Sequence, residues 1–562
     1  MNAQYKIWLK NNVLTEEILK RMRNEINEFR FKPKISILMS VYGTDEKLLK
    51  TTLDSVIQQI YSNWELCVVI STFIKEEIKR VLETSYKNNP NIKIAYVRKN
   101  SENITCLNDT IKSAHGEFIG FLNHADELTA DALYHVVKLL NACPDMDCIY
   151  TDEDKKDLKG RRSKPFFKPN WSPDLLFSMN YIGNFIVIRK RLLNELGGLR
   201  EGYNGSVSYD LVLRLVEITD KISHIAEPLY NQMTEFKQSN VDVESNLSNS
   251  AKKALSEALI RRGINGKVLD SKFTGAYRIR YDLDFEPLVS IIILTRDKLE
   301  YLRKCIDGIR YNTDYKNYEL IVIDNNSEDK DTIEFLNKLP LVVRESSEFN
   351  ASKLHNIGAK YASGKYLLLL NNDIEIIDPS WLKEMVSIAE RDDVGIVGAK
   401  LLFPDSTVQH AGAIIGLKGT ASHAFYRYSQ DDLNYHNLLN TVRNCSAVTG
   451  ACMLVKRKIF DEVKGFDENI HICFGDTDFC LRAIRDTGTL IVYTPYAKLL
   501  HYESITRASQ PSPQVIKDVK YFRHRWKKIL EKGDPYYNPN LSLEESYKLG
   551  ITPGMIVHAL LR

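Results

Sequence analysis

No stretch of this 562-residue chain reaches the ~18 uninterrupted apolar residues that a membrane span requires. The opening, MNAQYKIWLKNNVLTEEILKRM, is charged throughout and lacks the apolar core of a secretory signal. There is little excess charge of either sign: the formal net charge is +3, too small for the broad basic field that a nucleic-acid polymer would require. The nine cysteines show neither a disulfide framework nor the paired spacing of a zinc site. Cys143 and Cys148 stand nearest each other, and nothing beside them completes a ligand set. An odd count without an export signal predicts free thiols in a reducing cytoplasm. G-x-G-x-x-G is absent from both candidate first strand–helix turns, which makes a nicotinamide dehydrogenase a poor fit.

What is present describes a globular chain, with 44% hydrophobic and 27% charged residues, long enough for two or three domains. It repeats itself. ISILMSVY (35–42) corresponds to VSIIILTR (289–296), and NWELCVVIST (63–72) to NYELIVIDNN (317–326) at the same offset. NDTIKSAHGEFIGFLNHAD (108–126) matches NIGAKYASGKYLLLLNNDI (356–374), and SVSYDLVLR (206–214) matches FGDTDFCLR (474–482). Four blocks in one order predict one fold used twice. Each copy reads β–α–β–α–β with nearly continuous apolar strands, the pattern of a mostly parallel α/β sheet with helices on both faces. In such sheets ligands sit beyond the carboxyl ends of the strands, where Thr295, Asp324 and Asn371 to Asp373 fall. The expected division is a helical extension (1–33), a first α/β domain (34–233), a helical connector (234–286) whose helical stretch stops at Gly263, a second α/β domain (287–510) and a C-terminal appendage (511–562).

Several acids fall where chemistry would need them. Asp324 closes the run VIDNNS and would accept hydrogen bonds from a nucleotide base or ribose; a turn aspartate is the alternative. Asn371, Asn372 and Asp373 follow LLLL, offering oxygen ligands for a hard divalent cation that also grips a diphosphate. In FGDTDFCLR, Asp478 would serve as a helix cap. Asp476 is less easily structural, because the first copy keeps the second acid as Asp210 and carries Ser208 in place of the first. His501 becomes a ligand only if its strand returns to the crevice.

SIIILTRDK, ELIVIDNNS, GKYLLLLNND, VTGACMLVKR and GDTDFCLR, in this order, resemble a family-two inverting glycosyltransferase of the GT-A type. With YTDEDK, PFFKPNWSPDLL, NYIGNF and DPYYNPNLS, residues 33–545 resemble bacterial tandem transferases that build O-antigen, capsule or cell-wall glycans, rhamnosyl- and galactosyltransferases among them. The resemblance implies a nucleotide-sugar donor (UDP- or dTDP-linked) contacted by Thr295, Arg296, Asp324, Asn326, Asn371 and Asn372. It implies Mn²⁺ or Mg²⁺ on Asn371, Asp373 and His501, Asp476 as general base, and Asp478 and Arg482 as support. Without a metal, Arg296 or Arg443 would stabilise the leaving group.

The first copy reads differently. Ile70 aligns with Asp324, Ala125 with Asp373 and Ser208 with Asp476, removing a nucleotide contact, a ligand and a base together. Asp126, Asp152, Glu153 and Asp154 offer a rearranged site, but a scaffold or acceptor-binding role is the expectation; both copies working, or a non-catalytic glycan-binding chain, are the alternatives. In QVIKDVKYFRHRWKKIL, Val515, Val519, Phe522, Trp526 and Ile529 recur at helical spacing among lysines and arginines. Such a helix would either pack on the second domain or lie on the inner face of a membrane presenting a lipid-linked acceptor.

Overall fold

The computed structural model describes residues 2–41, 45–72, 74–97, 104–234, 241–431, 433, 435–502 and 512–550. The first copy contains β1 (Ile35–Val41), β2 (Trp64–Ser71), β3 (Ile92–Val97), β4 (Phe118–Phe121), β5 (Glu127–Leu128), β6 (Cys148–Lys156), β7 (Arg162–Phe166), β8 (Ile186–Arg189) and β9 (Ile222–Met233). They form one sheet in the order β3-β2-β1-β4-β8-β6-β9-β5, with β7 on β6. A hairpin, β10 (Gly266–Asp270) and β11 (Tyr277–Tyr281), follows the helix Val241–Arg261.

The second copy contains β12 (Val289–Thr295), β13 (Tyr318–Asp324), β14 (Val342–Arg344), β15 (Tyr366–Asn371), β16 (Ile374–Ile376), β17 (Val394–Leu402), β18 (Val408–His410), β19 (Ala413–Ile415), β20 (Ala421–His423), β21 (Arg443–Asn444), β22 (Cys452–Lys456) and β23 (Leu490–His501). Its sheet runs β14-β13-β12-β15-β22-β17-β23-β16, with β18 on β17, the first sheet's order strand for strand. This is a mixed α/β architecture of the GT-A type, present twice.

Local chemistry explains the repetition. The central strands bury both faces, so each reads as an unbroken apolar run such as Tyr366–Leu370. Where the chain turns into β4 and β15 it passes hard against the neighbouring strand. A Cβ at Gly116 would meet Ser36 N at 2.5 Å, and one at Gly364 would meet Ser290 N at 2.7 Å, so only glycine fits.

The copies are joined by a continuous core. PFFKPNWSPDLL, expected to suit a scaffold or glycan contact, is largely buried between the sheets: Tyr435 Oη accepts from Phe167 N (3.1 Å), and Ser172 Oγ donates to Asn444 Oδ1 (2.9 Å). Arg391 pairs with the buried Asp174. Beyond the helices Pro513–Arg525 and Lys527–Lys532, DPYYNPNLS straps the two halves together. Asp534 accepts from Ile415 N (2.7 Å) and Ser446 Oγ (2.8 Å), while Asn538 Nδ2 donates to Asp152 Oδ2 (2.9 Å) across the interface. Phe522 and Trp526 are buried with Ile415 and Leu481, so the apolar stripe of this segment faces the second copy. No helix among the described residues is long and apolar enough to cross a membrane.

Candidate active site

The carboxyl ends of β13, β12 and β15 lie side by side along one edge of the second sheet. Register sets Thr295 directly beside Asp324. Asp324 is buried; its Oδ1 accepts from Ser327 N (3.0 Å) and its Oδ2 lies 3.7 Å from Arg344 Nε. The turn reading of Asp324 therefore holds for one oxygen and leaves the other facing a cation. Thr295 Oγ1 accepts from Asn372 Nδ2 (3.0 Å), tying the first strand mouth to the third. Asn326, at φ 65°, and Arg296 stand exposed on the rim, and Arg296 lies 3.4 Å from Glu328.

The strand of His501 does return. β23 pairs with β16 so that Ile374 faces His501, and His501 Nε2 comes within 3.1 Å of both Asp373 Oδ1 and Asn371 Nδ2. His501 Nδ1 donates to Gln409 Oε1 at 2.7 Å, which in the neutral ring leaves the Nε2 lone pair to accept from Asn371 Nδ2. Asp373 Oδ1 is buried without a hydrogen-bond partner. In the neutral ring a lone pair and a carboxylate oxygen at 3.1 Å repel unless positive charge, a proton on Nε2 or a cation, lies beside them. Adjacent vertices of an octahedron with ~2.1 Å bonds are about 3.0 Å apart, so this pair fits two ligands of a hard divalent cation. Among the described residues no three His, Cys, Asp or Glu side chains cluster as ligands, so an amide oxygen such as Asn371 Oδ1 would have to join them.

Asp476 sits in the first turn of the helix Gly475–Thr487, where the helix dipole favours a carboxylate. Its Oδ2 accepts from Gly450 N (2.9 Å) and its Oδ1 from Thr477 N (2.7 Å). The next residue, Ala451, accepts from Asn371 N (3.0 Å), so a single residue step links the partner of Asp476 to the mouth of β15. Asp478 points the other way, fully buried, accepting from Arg482 Nε (2.8 Å) and Trp526 Nε1 (2.9 Å). Arg443 is buried and donates to the carbonyls of Ala411 and Leu438, so it is not free to meet a leaving group.

Composition and spacing gave no sign of Gln409, His410 or Gly450. Burial drives His410 well below the usual imidazole range, reinforced by His423, Arg443 and His501. Its Nε2 accepts from Gly412 N (3.2 Å) and Thr449 N (3.3 Å), bracing the turn that carries Gly450.

The first copy lacks this mouth. Val41 faces Ile70 as Thr295 faces Asp324, and Ala125 packs with Leu48 and Met233. Asp126 does not restore a ligand: buried, with its pKa raised by burial, it accepts from Tyr230 Oη, Met233 N (2.9 Å) and Asn123 Nδ2 (3.0 Å). Asp152 holds His224 (2.8 Å) and Lys168 N (2.7 Å), Glu153 pairs with Lys168 (3.0 Å), and Asp154 binds Tyr5 (2.6 Å) and Arg162 (2.5 Å). All four acids are committed to structure.

The fold and these strand ends define a tandem GT-A-type protein. Residues 36–197 and 290–464, more than half of the chain, match Glycosyl transferase family 2, and the chain belongs to that family. The O-antigen biosynthesis protein RfbC of Myxococcus xanthus is 38% identical over 521 residues, covering 91% of this chain and 40% of that protein. The uncharacterised protein y4gI of Sinorhizobium fredii is also 38% identical, over 94% of this chain and 59% of its own length. The chain thus spans between 40% and 59% of the length of these relatives. Among solved structures, S. aureus TarS 1-349 in complex with UDP-GlcNAc is similar at 18% identity and a TM-score of 0.34, covering 40% of this chain and 66% of that one.

Proposed function

We propose that the second copy transfers a sugar, with inversion, from a UDP- or dTDP-linked donor to a growing surface glycan, free or lipid-linked, and that the first copy is a non-transferring scaffold. What supports this reading is that neighbouring strand ends and short backbone contacts link Asp324, the Asp373–His501 pair and Asp476, and that all three are absent from the first copy. Asp324, Thr295 and the rim residues Arg296 and Asn326 would hold the nucleoside; Asn371, Asp373 and His501 would hold Mn²⁺ or Mg²⁺. Bound there, the cation would supply Lewis-acid stabilisation of the departing diphosphate charge.

The chain's own residues do the rest. Asp476, held by two backbone N–H groups, takes the proton of the acceptor hydroxyl as that oxygen bonds to the anomeric carbon and the bond to the diphosphate breaks. One displacement inverts the centre, and positive charge develops at the anomeric carbon as in glycoside hydrolysis. Asp478 and Arg482 fix the helix that presents the base. The reading places the reaction on the cytoplasmic side, where nucleotide sugars are met.

The test is a panel of nucleotide sugars with Mn²⁺ or Mg²⁺ and the purified protein. Consumption of one donor, lost on chelation, is expected. No turnover of any donor would favour a glycan-binding role; turnover that survives exhaustive chelation would remove the cation.

A further inference from the structure

We infer that Gln409 is a positioning residue that fixes the tautomer of His501 and so prepares the cation corner; this rests on the metal reading of Asp373 and His501. The local fold is specific. β18 pairs Val408 with Leu402 and His410 with Leu401, so Gln409 is the extra residue of a β-bulge. A bulge re-aims a side chain and is frequent beside active sites. Here it turns Gln409, 2% exposed, onto His501, 5% exposed. The bond from Nδ1 to Gln409 Oε1 is 2.7 Å. With the neutral ring's proton held at Nδ1, the Nε2 lone pair is left on the side of Asn371 Nδ2 and of Asp373 Oδ1, a buried acceptor without a hydrogen-bond partner. A ring nitrogen bound in this way is a better ligand and costs less to orient.

The first copy supplies an internal control. Leu401 pairs with Leu499 and His410, and its counterpart Glu153 pairs with Tyr230 and Phe166. By that register Pro165 stands where Gln409 does, and Gln232 where His501 does. The bulge persists there, between Glu153 and Lys155, so the fold keeps the backbone irregularity without the glutamine. Gln409 is present where the histidine it would orient is present, and missing where that histidine is missing.

Mn²⁺ alone, with the free ion counted by EPR, tests this on the full chain. Gln409→Leu should weaken Mn²⁺ binding by about 10- to 100-fold. Gln409→Glu, which keeps an acceptor oxygen at the same reach, should restore most of it, and both variants should still unfold cooperatively without metal. Equal losses in the two variants, or a Gln409→Leu protein that binds as the parent does, would overturn the inference. Should Gln409→Leu not fold, the Gln409→Glu titration decides alone: binding as weak as that of Asp373→Ala overturns it. If the parent binds no Mn²⁺, the metal reading falls and the inference with it. If Asp373→Ala abolishes binding that Gln409→Leu leaves intact, the metal reading stands and only the role of Gln409 is lost.

Discussion

At the end of β4 in the first copy, Ala125 packs on Leu48 and Met233; at the end of β15 in the second, Asp373 faces His501 at 3.1 Å. Away from these mouths the copies agree closely. Asp210 with Arg214 and Asp478 with Arg482 are the same buried pair on the same helix. Ser36 donates to Glu65 (2.6 Å) as Ser290 does to Glu319 (2.5 Å). The differences gather at Ile70, Ala125, Pro165, Ser208 and Gln232, opposite Asp324, Asp373, Gln409, Asp476 and His501. Residues retained in both copies serve folding, because both sheets must form. Residues found only in the second are the candidates for chemistry, and the duplication separates these demands within one chain.

The sharpest test of that division is the pair of acids flanking Thr477 in the helix Gly475–Thr487. Asp476→Asn should lower turnover by about 10²–10⁴-fold while leaving the unfolding midpoint near that of the parent. Transfer at a near-normal rate would remove Asp476 from the mechanism. Asp478→Ala should instead destabilise by about 3–5 kcal/mol, since it leaves Arg482 buried and unpaired, and Asp210→Ala should do the same in the first copy. Urea unfolding measures both. If only one copy responds, the shared pair is not a shared folding requirement.

A smaller effect separates two matching glutamates, the buried Glu65 and the half-buried Glu319. For Glu65, burial raises the pKa but is outweighed by Lys93, Ser36 and His115 N, and the carboxyl falls to about 2. Glu319 is lowered too: burial opposes this, and bonds from Ser290 and Ser363 prevail without a lysine. Both folded pKa values lie below the unfolded value. Their contributions are therefore full above about pH 4.5 and lost as pH falls, for Glu65 through about 2. Because Lys93 is half exposed, Glu65→Gln should cost only up to about 1 kcal/mol more than Glu319→Gln at pH 7. That excess should narrow on acidification; a gap that does not change with pH would contradict the assignment.

Much of the fold was legible because strands buried on both faces must be continuously apolar, and because the blocks recur in order. Asp324, Asp373 and Asp476 were legible as polar residues just past such runs, or as acids absent from the other copy. Gln409 was not, since nothing in VQHAG marks a bulge; only the pairing of Val408 and His410 with consecutive residues of β17 reveals it. PFFKPNWSPDLL and DPYYNPNLS stood out as motifs, but their role as an interface and a strap depends on contacts such as Asn538 with Asp152, 386 residues apart. The packing of Phe522 and Trp526 was undecidable from periodicity, because an amphipathic stripe looks the same against protein as against lipid.

The smallest effect expected is none, and it bears hardest on the first copy. Ser208 occupies the position of Asp476 on a helix that keeps its buried Asp210–Arg214 pair, so Ser208→Asp should be tolerated. Introduced into the Asp476→Asn protein, it should restore no transfer. A base alone is not sufficient: Ile70 cannot accept a hydrogen bond from a nucleoside, and Ala125 has no ligand atom for a cation. Met233 and Leu48 fill the space beside Ala125, and Asp126 is held by Tyr230, Asn123 and Met233 N. A donor would have to displace buried apolar side chains before it met any charge. Product analysis on the double variant decides the matter. A sugar added by the Asp476→Asn protein, with or without Ser208→Asp, and lost again on Asp126→Asn, would make the first copy a second active site and reduce the comparison between the copies to one of degree.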